Sequence, residues 1–190
     1  AVLNLANWHH FLDALKLAGY RGQKMVSSEA AIIFSYVLYL IGIRDYGIDR
    51  TRMRQAIAEF YFMASMTGRY TSSPETRFEA DLGQVRDLAS GEVFVAKLRE
   101  ICDTTLTNDY WEITLPSQLA TSAARSPTLF AYQASLIMLD APALFSPLKL
   151  AAMVDPAIKG SKASLEQHHL FPRAYLEAQG VTDLKLINQI

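Results

Sequence analysis

The spacing of apolar residues is the feature that most constrains what this chain can fold into. Apolar side chains recur at three- and four-residue steps, which places them on one face of an α-helix. The clearest runs are Leu5, Trp8, Leu12 and Leu15; Met53, Ile57, Phe60, Tyr61 and Ala64; and Phe78, Leu82 and Val85. Each such face needs another apolar surface to pack against, so the pattern predicts a mainly α-helical domain.

Capping residues and glycines predict the ends of these helices. Ser27 or Ser28 precedes an apolar segment over residues 30–41, and a serine at this position caps the first free N–H groups of a helix. Gly42 is expected to end that helix, because glycine is favoured just beyond a helix C-terminus. Asp49 is likewise placed to start the long segment that contains the second apolar run.

Prolines mark further helix starts. Ser73 and Ser126 each precede a proline, and a capping hydroxyl followed by proline is typical of a helix N-terminus. Residues 92–102 predict one more helix. Residues 108–114 are less regular, and their aromatic residues allow either a strand or a packed loop.

The density of prolines after residue 140 divides the chain. Pro142, Pro147 and Pro156 restrict helices there to short pieces. The small polar residues at 159–162 are a candidate linker. We therefore expect about six to eight helices in residues 1–160, followed by a different, β-containing tail in residues 161–190.

Composition indicates a globular protein whose net charge is too small to produce a strong electrostatic field. Of 190 residues, 51% are hydrophobic, and the formal net charge is −1. A disordered chain needs the opposite composition. Because 18 basic residues are balanced by 19 acidic ones, a protein of this kind would need a local basic patch to bind nucleic acid.

The sequence predicts a cytoplasmic protein that does not enter a membrane. The longest uncharged run, residues 30–43, has 14 residues, whereas a spanning helix needs about 20. The first residues do not show a basic segment followed by an apolar stretch, so we expect no signal peptide. The single cysteine, Cys102, suits a reducing compartment and is expected to be a small buried hydrophobe rather than a nucleophile.

All four histidines occur as adjacent pairs, His9-His10 and His168-His169. The first pair lies in a predicted helix, where neighbouring side chains point about 100° apart, so these are expected to be surface or packing histidines. The second pair precedes Pro172, which excludes a helix running through it. Two adjacent imidazoles can bind a cation and accept a proton from water. By spacing alone, however, such a pair is more often two exposed loop histidines.

A family resemblance gives the second pair more weight. Residues 165–176, LEQHHLFPRAYL, followed by INQI at 187–190, resemble the first half of a His-Asn-His (ββα-metal) nuclease motif. More narrowly, they resemble bacterial proteins of unknown function that join such a nuclease domain to an N-terminal ParB-like domain, a group that includes GmrSD-type restriction enzymes. Residues 61–82, with GRYTSSPET at 68–76 in their centre, resemble the helical part between those two domains.

The resemblance implies a metal-dependent DNA endonuclease of a restriction or phage-defence system. It implies His169 as the general base and His168 as a metal ligand or its close support. The metal would be Mg²⁺ or Mn²⁺, with Zn²⁺ as the alternative, and the partners would be DNA and the ParB-like domain of the same polypeptide. Asn188 falls in the second strand of the motif. The closing helix with the last ligand is expected beyond Ile190, so this chain is expected to hold an inactive half-site.

Arginines in the helical part are candidates for contacts with DNA or with carboxylates. Arg50, Arg52 and Arg54 cluster at one helix start and could contact phosphates, although an ordinary solvated face explains them more simply. Arg69 is expected to tie a turn to a carboxylate such as Glu75 or Asp81.

Two further readings compete with the nuclease. The first is a helical scaffold that couples flanking domains, with incidental histidines; it predicts an exposed apolar surface. The second is a structural zinc site, which is weak because two histidines and the remote Cys102 do not form a recognisable set of ligands.

Overall fold

A computed structural model of the chain describes residues 2–120, 123, 125–144, 146–154 and 171–187. These residues are mainly α-helical, and no β-strand occurs among them, which confirms the predicted helical class. The helices are α1 (Leu5–Leu17), α2 (Glu29–Arg44), α3 (Arg50–Met66), α4 (Pro74–Val85), α5 (Gly91–Thr105), α6 (Leu115–Leu119), α7 (Pro127–Met138), α8 (Leu150–Met153), α9 (Arg173–Ala178) and α10 (Leu184–Ile187).

Side-chain caps begin most of the long helices where the sequence predicts them. The Ser28 hydroxyl accepts a hydrogen bond from the N–H of Ala31, and the Asp49 carboxylate accepts one from Arg52. Ser126 caps α7 in the same way through Leu129. Each cap satisfies an N–H group that has no partner within the helix. Ser73 precedes α4 as predicted, but it adopts a left-handed conformation and makes no capping bond.

Helix α3 is the centre of the domain. It packs against α1, α2, α5 and α7, and its predicted apolar face is fully buried. Tyr20 packs its ring against Tyr61 of α3, with ring centroids 5.0 Å apart. A second aromatic pair joins α2 to α4, where Phe34 and Phe78 stack with ring centroids 4.0 Å apart. The helical repeat of apolar residues therefore produces one main connected core.

Gly42 does not end α2, contrary to the prediction. It lies inside the helix and is buried, and a Cβ atom built on it would collide with the sulfur of Met53 in α3. Glycine occupies this position because it lets two helices approach closely at the crossing. The helix continues for two residues and ends at Arg44.

Residues 108–114 form neither a strand nor a loop. Residues Tyr110–Thr114 form a short π-helix that runs directly into α6. The Tyr110 side chain is buried against α3 and α7, in a small cluster with Met66 and Ala131. A wide helical turn lets this aromatic residue reach the core while Trp111 stays 44% exposed.

The described part of the tail is helical as well. α9 follows Pro172 directly, carries an Arg173–Glu177 ion pair of 2.7 Å one turn apart, and ends before Gly180, which has a φ of +84°. Residues 184–187 form α10, so the residues just before Asn188 are helical, where the motif predicts a strand. Among all described residues, no helix is both long and apolar enough to span a bilayer.

Candidate functional site

The two histidines of the proposed nuclease motif, His168 and His169, lie outside the described residues, as do Glu166 and Asn188. The described part of the tail begins at Phe171. Phe171 and Tyr175 stack their rings 5.9 Å apart at the start of α9, and both are more than half exposed. This exposed aromatic pair, which begins two positions after His169 in the sequence, is available to contact another molecule.

His9 and His10 lie on α1, where His9 is exposed and His10 is partly buried. This agrees with surface or packing roles. Within the part of the chain that the structure describes, no three His, Cys, Asp or Glu side chains are grouped so that they could hold a metal ion.

The three arginines at the start of α3 do not form one uniform patch. Arg52 forms a bidentate ion pair with Glu92 at the start of α5, and this bond lowers the pKa of Glu92. Arg50 lies close enough to Tyr39 to influence its hydroxyl. Arg54 is partly buried on the next turn. Because Glu92 already pairs with Arg52, only Arg50 and Arg54 of these three arginines remain candidates for contacts with phosphates.

A buried ion-pair network holds the turn between α3 and α4. Arg69 donates two hydrogen bonds to Asp81, from Nε at 2.8 Å and from Nη2 at 2.6 Å, and a third to the Thr105 hydroxyl at 3.1 Å. The Tyr70 hydroxyl donates to the same carboxylate at 2.6 Å. Asp81 is 1% exposed. Of the two carboxylates predicted as partners of Arg69, the structure selects Asp81.

The protonation states in this network favour the ion pair. Burial disfavours the charged guanidinium of Arg69, but its hydrogen bonds and attraction to Asp81 outweigh burial and raise the pKa of Arg69. Burial, followed by the bond to Asp81, raises the pKa of Tyr70 far above its ordinary value. The network joins α4, α5 and the preceding turn, and its closed set of partners indicates a structural role.

Cys102 is a partly buried free thiol on α5. Burial, followed by repulsion from Glu59 and Asp103, raises the pKa of this thiol to about 12. Because the thiolate is the reactive form, this environment suits a packing residue and not a nucleophile.

We expect Cys102 to react with iodoacetamide at pH 8 on the order of a thousandfold more slowly in the folded protein than in urea, because the pKa rises from 9.0 to about 12. Mass spectrometry of timed samples measures the two rates. Since folding raises this pKa, the thiol contributes stability below about pH 9 that is lost as the pH rises toward 12. Equal labelling rates in the two states would show that the thiol is not protected.

Sequence reasoning missed two partners at these sites. The sequence predicts that Glu92 lies in a helix but not that it pairs with Arg52. This ion pair joins the starts of α3 and α5. The sequence predicts no partner for the Tyr70 hydroxyl, although it shares Asp81 with Arg69. No local signal identifies either partner, because each contact joins residues from separate elements.

Comparison of this chain with models of protein families, with curated proteins and with solved structures found no match. A function therefore has to be inferred from the residues of the chain itself.

Proposed function

We propose that this chain is part of a metal-dependent DNA endonuclease of a bacterial restriction or phage-defence system. The observation that carries the proposal is the order of residues 166–172, EQHHLFP, which resembles the first strand of a His-Asn-His nuclease motif. In this proposal, residues 1–160 are the helical region that connects the nuclease domain to an N-terminal ParB-like domain.

Phosphodiester hydrolysis requires a base for the attacking water and positive charge near the phosphate. His169 accepts the proton from water, since a neutral imidazole is a base near pH 7. His168 holds the divalent cation or supports the group that does. The bound cation, Mg²⁺ or Mn²⁺ with Zn²⁺ as the alternative, supplies the positive charge that stabilises the phosphate oxygens.

The number of metal-ligand side chains in residues 161–190 determines whether these residues can catalyse hydrolysis without the rest of the motif. Two imidazoles provide one or two of the ligands that a catalytic cation requires. Among the described residues, no group of three His, Cys, Asp or Glu side chains could hold a metal ion. We therefore expect weak metal binding and no cleavage from these residues alone, and full activity only from a protein that also carries the closing helix of the motif.

DNA contacts of the helical region would come from Arg50 and Arg54. Both lie on one side of α3, one turn apart, and Arg52 is already paired with Glu92. Two arginines contribute attraction to the phosphate backbone that does not depend on base sequence. Binding of a particular sequence or modification then depends on the other domains of the protein.

The nuclease proposal predicts that His169→Ala in the full-length protein lowers plasmid nicking by a factor of 100 or more, about the contribution of a general base. The assay compares supercoiled plasmid before and after incubation with Mg²⁺ or Mn²⁺. His9→Ala is the matched control, because His9 is an exposed histidine on α1, and it should retain the wild-type rate. Unchanged nicking by His169→Ala would remove the proposed base.

A helical scaffold without catalysis is the second candidate, and exposed apolar side chains near the start of the chain favour it. Leu3 is 95% exposed and Leu5 is 71% exposed. One turn further, Trp8 packs its ring against Tyr36 at 4.9 Å and remains 36% exposed. Adjacent exposed apolar groups are typical of docking surfaces. Full-length protein that nicks no plasmid with any of the three cations would favour the scaffold.

A further inference from the structure

A surface cavity of about 430 Å³ lies between the connection from α1 to α2 and the start of α7. The described residues that line it are Gln23, Lys24, Arg125 and Phe130. The first two belong to the single 3₁₀ turn Gln23–Met25. Cavities of roughly 300–1,000 Å³ are the usual size for small-molecule sites.

The charge of this cavity favours an anion. Lys24 and Arg125 are both cationic, and no acidic side chain is among the described residues of the lining. Neither cation forms an ion pair in the described part of the chain, whereas Arg52, Arg69 and Arg99 are all paired with carboxylates. Two like charges at one cavity repel each other, so an anion between them relieves that repulsion.

The position of Arg125 strengthens this preference. Arg125 directly precedes Ser126, the cap of the twelve-residue helix α7. The N-terminal end of a helix carries partial positive charge, which adds to the two cations. The start of α7 therefore adds positive potential beside Arg125.

The loop that carries Lys24 also buries a hydrogen-bond donor without a partner. Among the described residues, the buried Nε of Arg21 makes no hydrogen bond. Leaving a buried donor unpaired costs about 1–3 kcal/mol. An acceptor-rich group bound at this loop would offset that cost for any donor that it reaches.

Phe130 provides an apolar surface on the α7 side of the cavity. The residue is 6% exposed and belongs to the main core, so its ring is held in place. A flat apolar group can pack against the part of this ring that faces the cavity, while Lys24 and Arg125 bind the charge.

We propose that this cavity binds a small molecule in which a phosphate or carboxylate group is joined to a flat ring. The anionic group binds Lys24 and Arg125, and the ring packs against Phe130. Bound in this way, the molecule connects the turn after α1 to α7. The proposal does not depend on the nuclease assignment, because the described residues of the lining, Gln23, Lys24, Arg125 and Phe130, lie in the helical part of the chain.

Isothermal titration calorimetry with phenyl phosphate and with benzoate tests the proposal on the whole chain. Wild-type protein should bind at least one of the two, and Lys24→Ala and Arg125→Ala should each weaken binding about tenfold or more, the usual effect of losing a charged hydrogen bond. Arg77→Ala is the matched control, an exposed arginine on α4 that does not line the cavity. It should bind as wild type does.

Each other result contradicts the proposal. Absence of binding by both probes at millimolar concentration would overturn it, as would equal weakening by Arg77→Ala. Equally tight binding of neutral benzyl alcohol would show that the anion has no role. Inorganic phosphate that binds as tightly as phenyl phosphate would exclude the ring contact with Phe130. Circular dichroism of every variant verifies that the helices are intact, and a variant that loses them is replaced by Lys24→Gln or Arg125→Gln.

Discussion

Replacing Asp81 with alanine should lower the free energy of unfolding by about 3–5 kcal/mol, the typical cost of breaking a buried ion pair. The substitution leaves the guanidinium of Arg69 without its carboxylate and removes the acceptor of the Tyr70 hydroxyl. Urea denaturation followed by circular dichroism measures the change. Because the network joins α4 to α5 and to the turn after α3, the loss should affect the whole domain.

Two variants separate the ion pair from other effects of the Asp81 substitution. Glu79→Ala alters an exposed carboxylate on the same helix and should change stability by less than about 0.5 kcal/mol. Replacing Arg69 and Asp81 together, with methionine and leucine, should cost less than Asp81→Ala, because no buried charge is then left unpaired. A loss below about 1 kcal/mol for Asp81→Ala would mean that the network is not essential for stability.

Replacing Gly19 with alanine should lower the free energy of unfolding by about 3 kcal/mol or more, from backbone strain and overpacking together. Gly19 has a φ of +83°, a conformation that is unfavourable for any residue with a Cβ atom. The added Cβ would also collide with the carbonyl oxygen of Ala134 in α7 and lie 2.8 Å from its carbonyl carbon. Neither backbone can move without separating α1 from α7.

Gly47→Ala is the control that isolates the strain. Gly47 has a φ of +61°, yet nothing lies within 4 Å of a Cβ built there. Its substitution should therefore cost only about 1–2 kcal/mol. Thermal or urea unfolding of the two variants gives the difference directly. Equal losses at the two glycines would show that the contact with Ala134 adds nothing to the strain.

Most of the helical architecture could be predicted from local patterns. Asp49 and Ser126 cap α3 and α7 as expected, and the apolar face of α3 is buried throughout. A cap and the helical repeat act over a few residues, so their signals are present in the sequence itself. Gly42 shows where such signals fail, because the same residue type that ends a helix also permits two helices to cross closely.

Some features of the candidate sites follow from the order of residues, and others depend on the fold. Residues 166–172 were identified by their order alone, and the proposed roles of His168 and His169 stay predictions. The selection of Asp81 over Glu75 as the partner of Arg69 needed the fold, since both carboxylates lie on α4 and only one of them is buried. The cavity at Lys24 and Arg125 had no signal in the sequence, because its lining comes from two distant segments.

Neighbouring residues alone encode the helical class and the starts of the main helices, because caps and apolar repeats act within a few positions. The order of residues around His169 supports only a proposal. Which charges meet depends on the tertiary structure. It pairs Arg52 with Glu92 and Arg69 with Asp81, and within the described part of the chain it leaves Lys24 and Arg125 without an ion pair at one cavity. Such pairings depend on how separate helices pack around α3. The spacing of residues along the chain does not encode the distance between side chains on different helices.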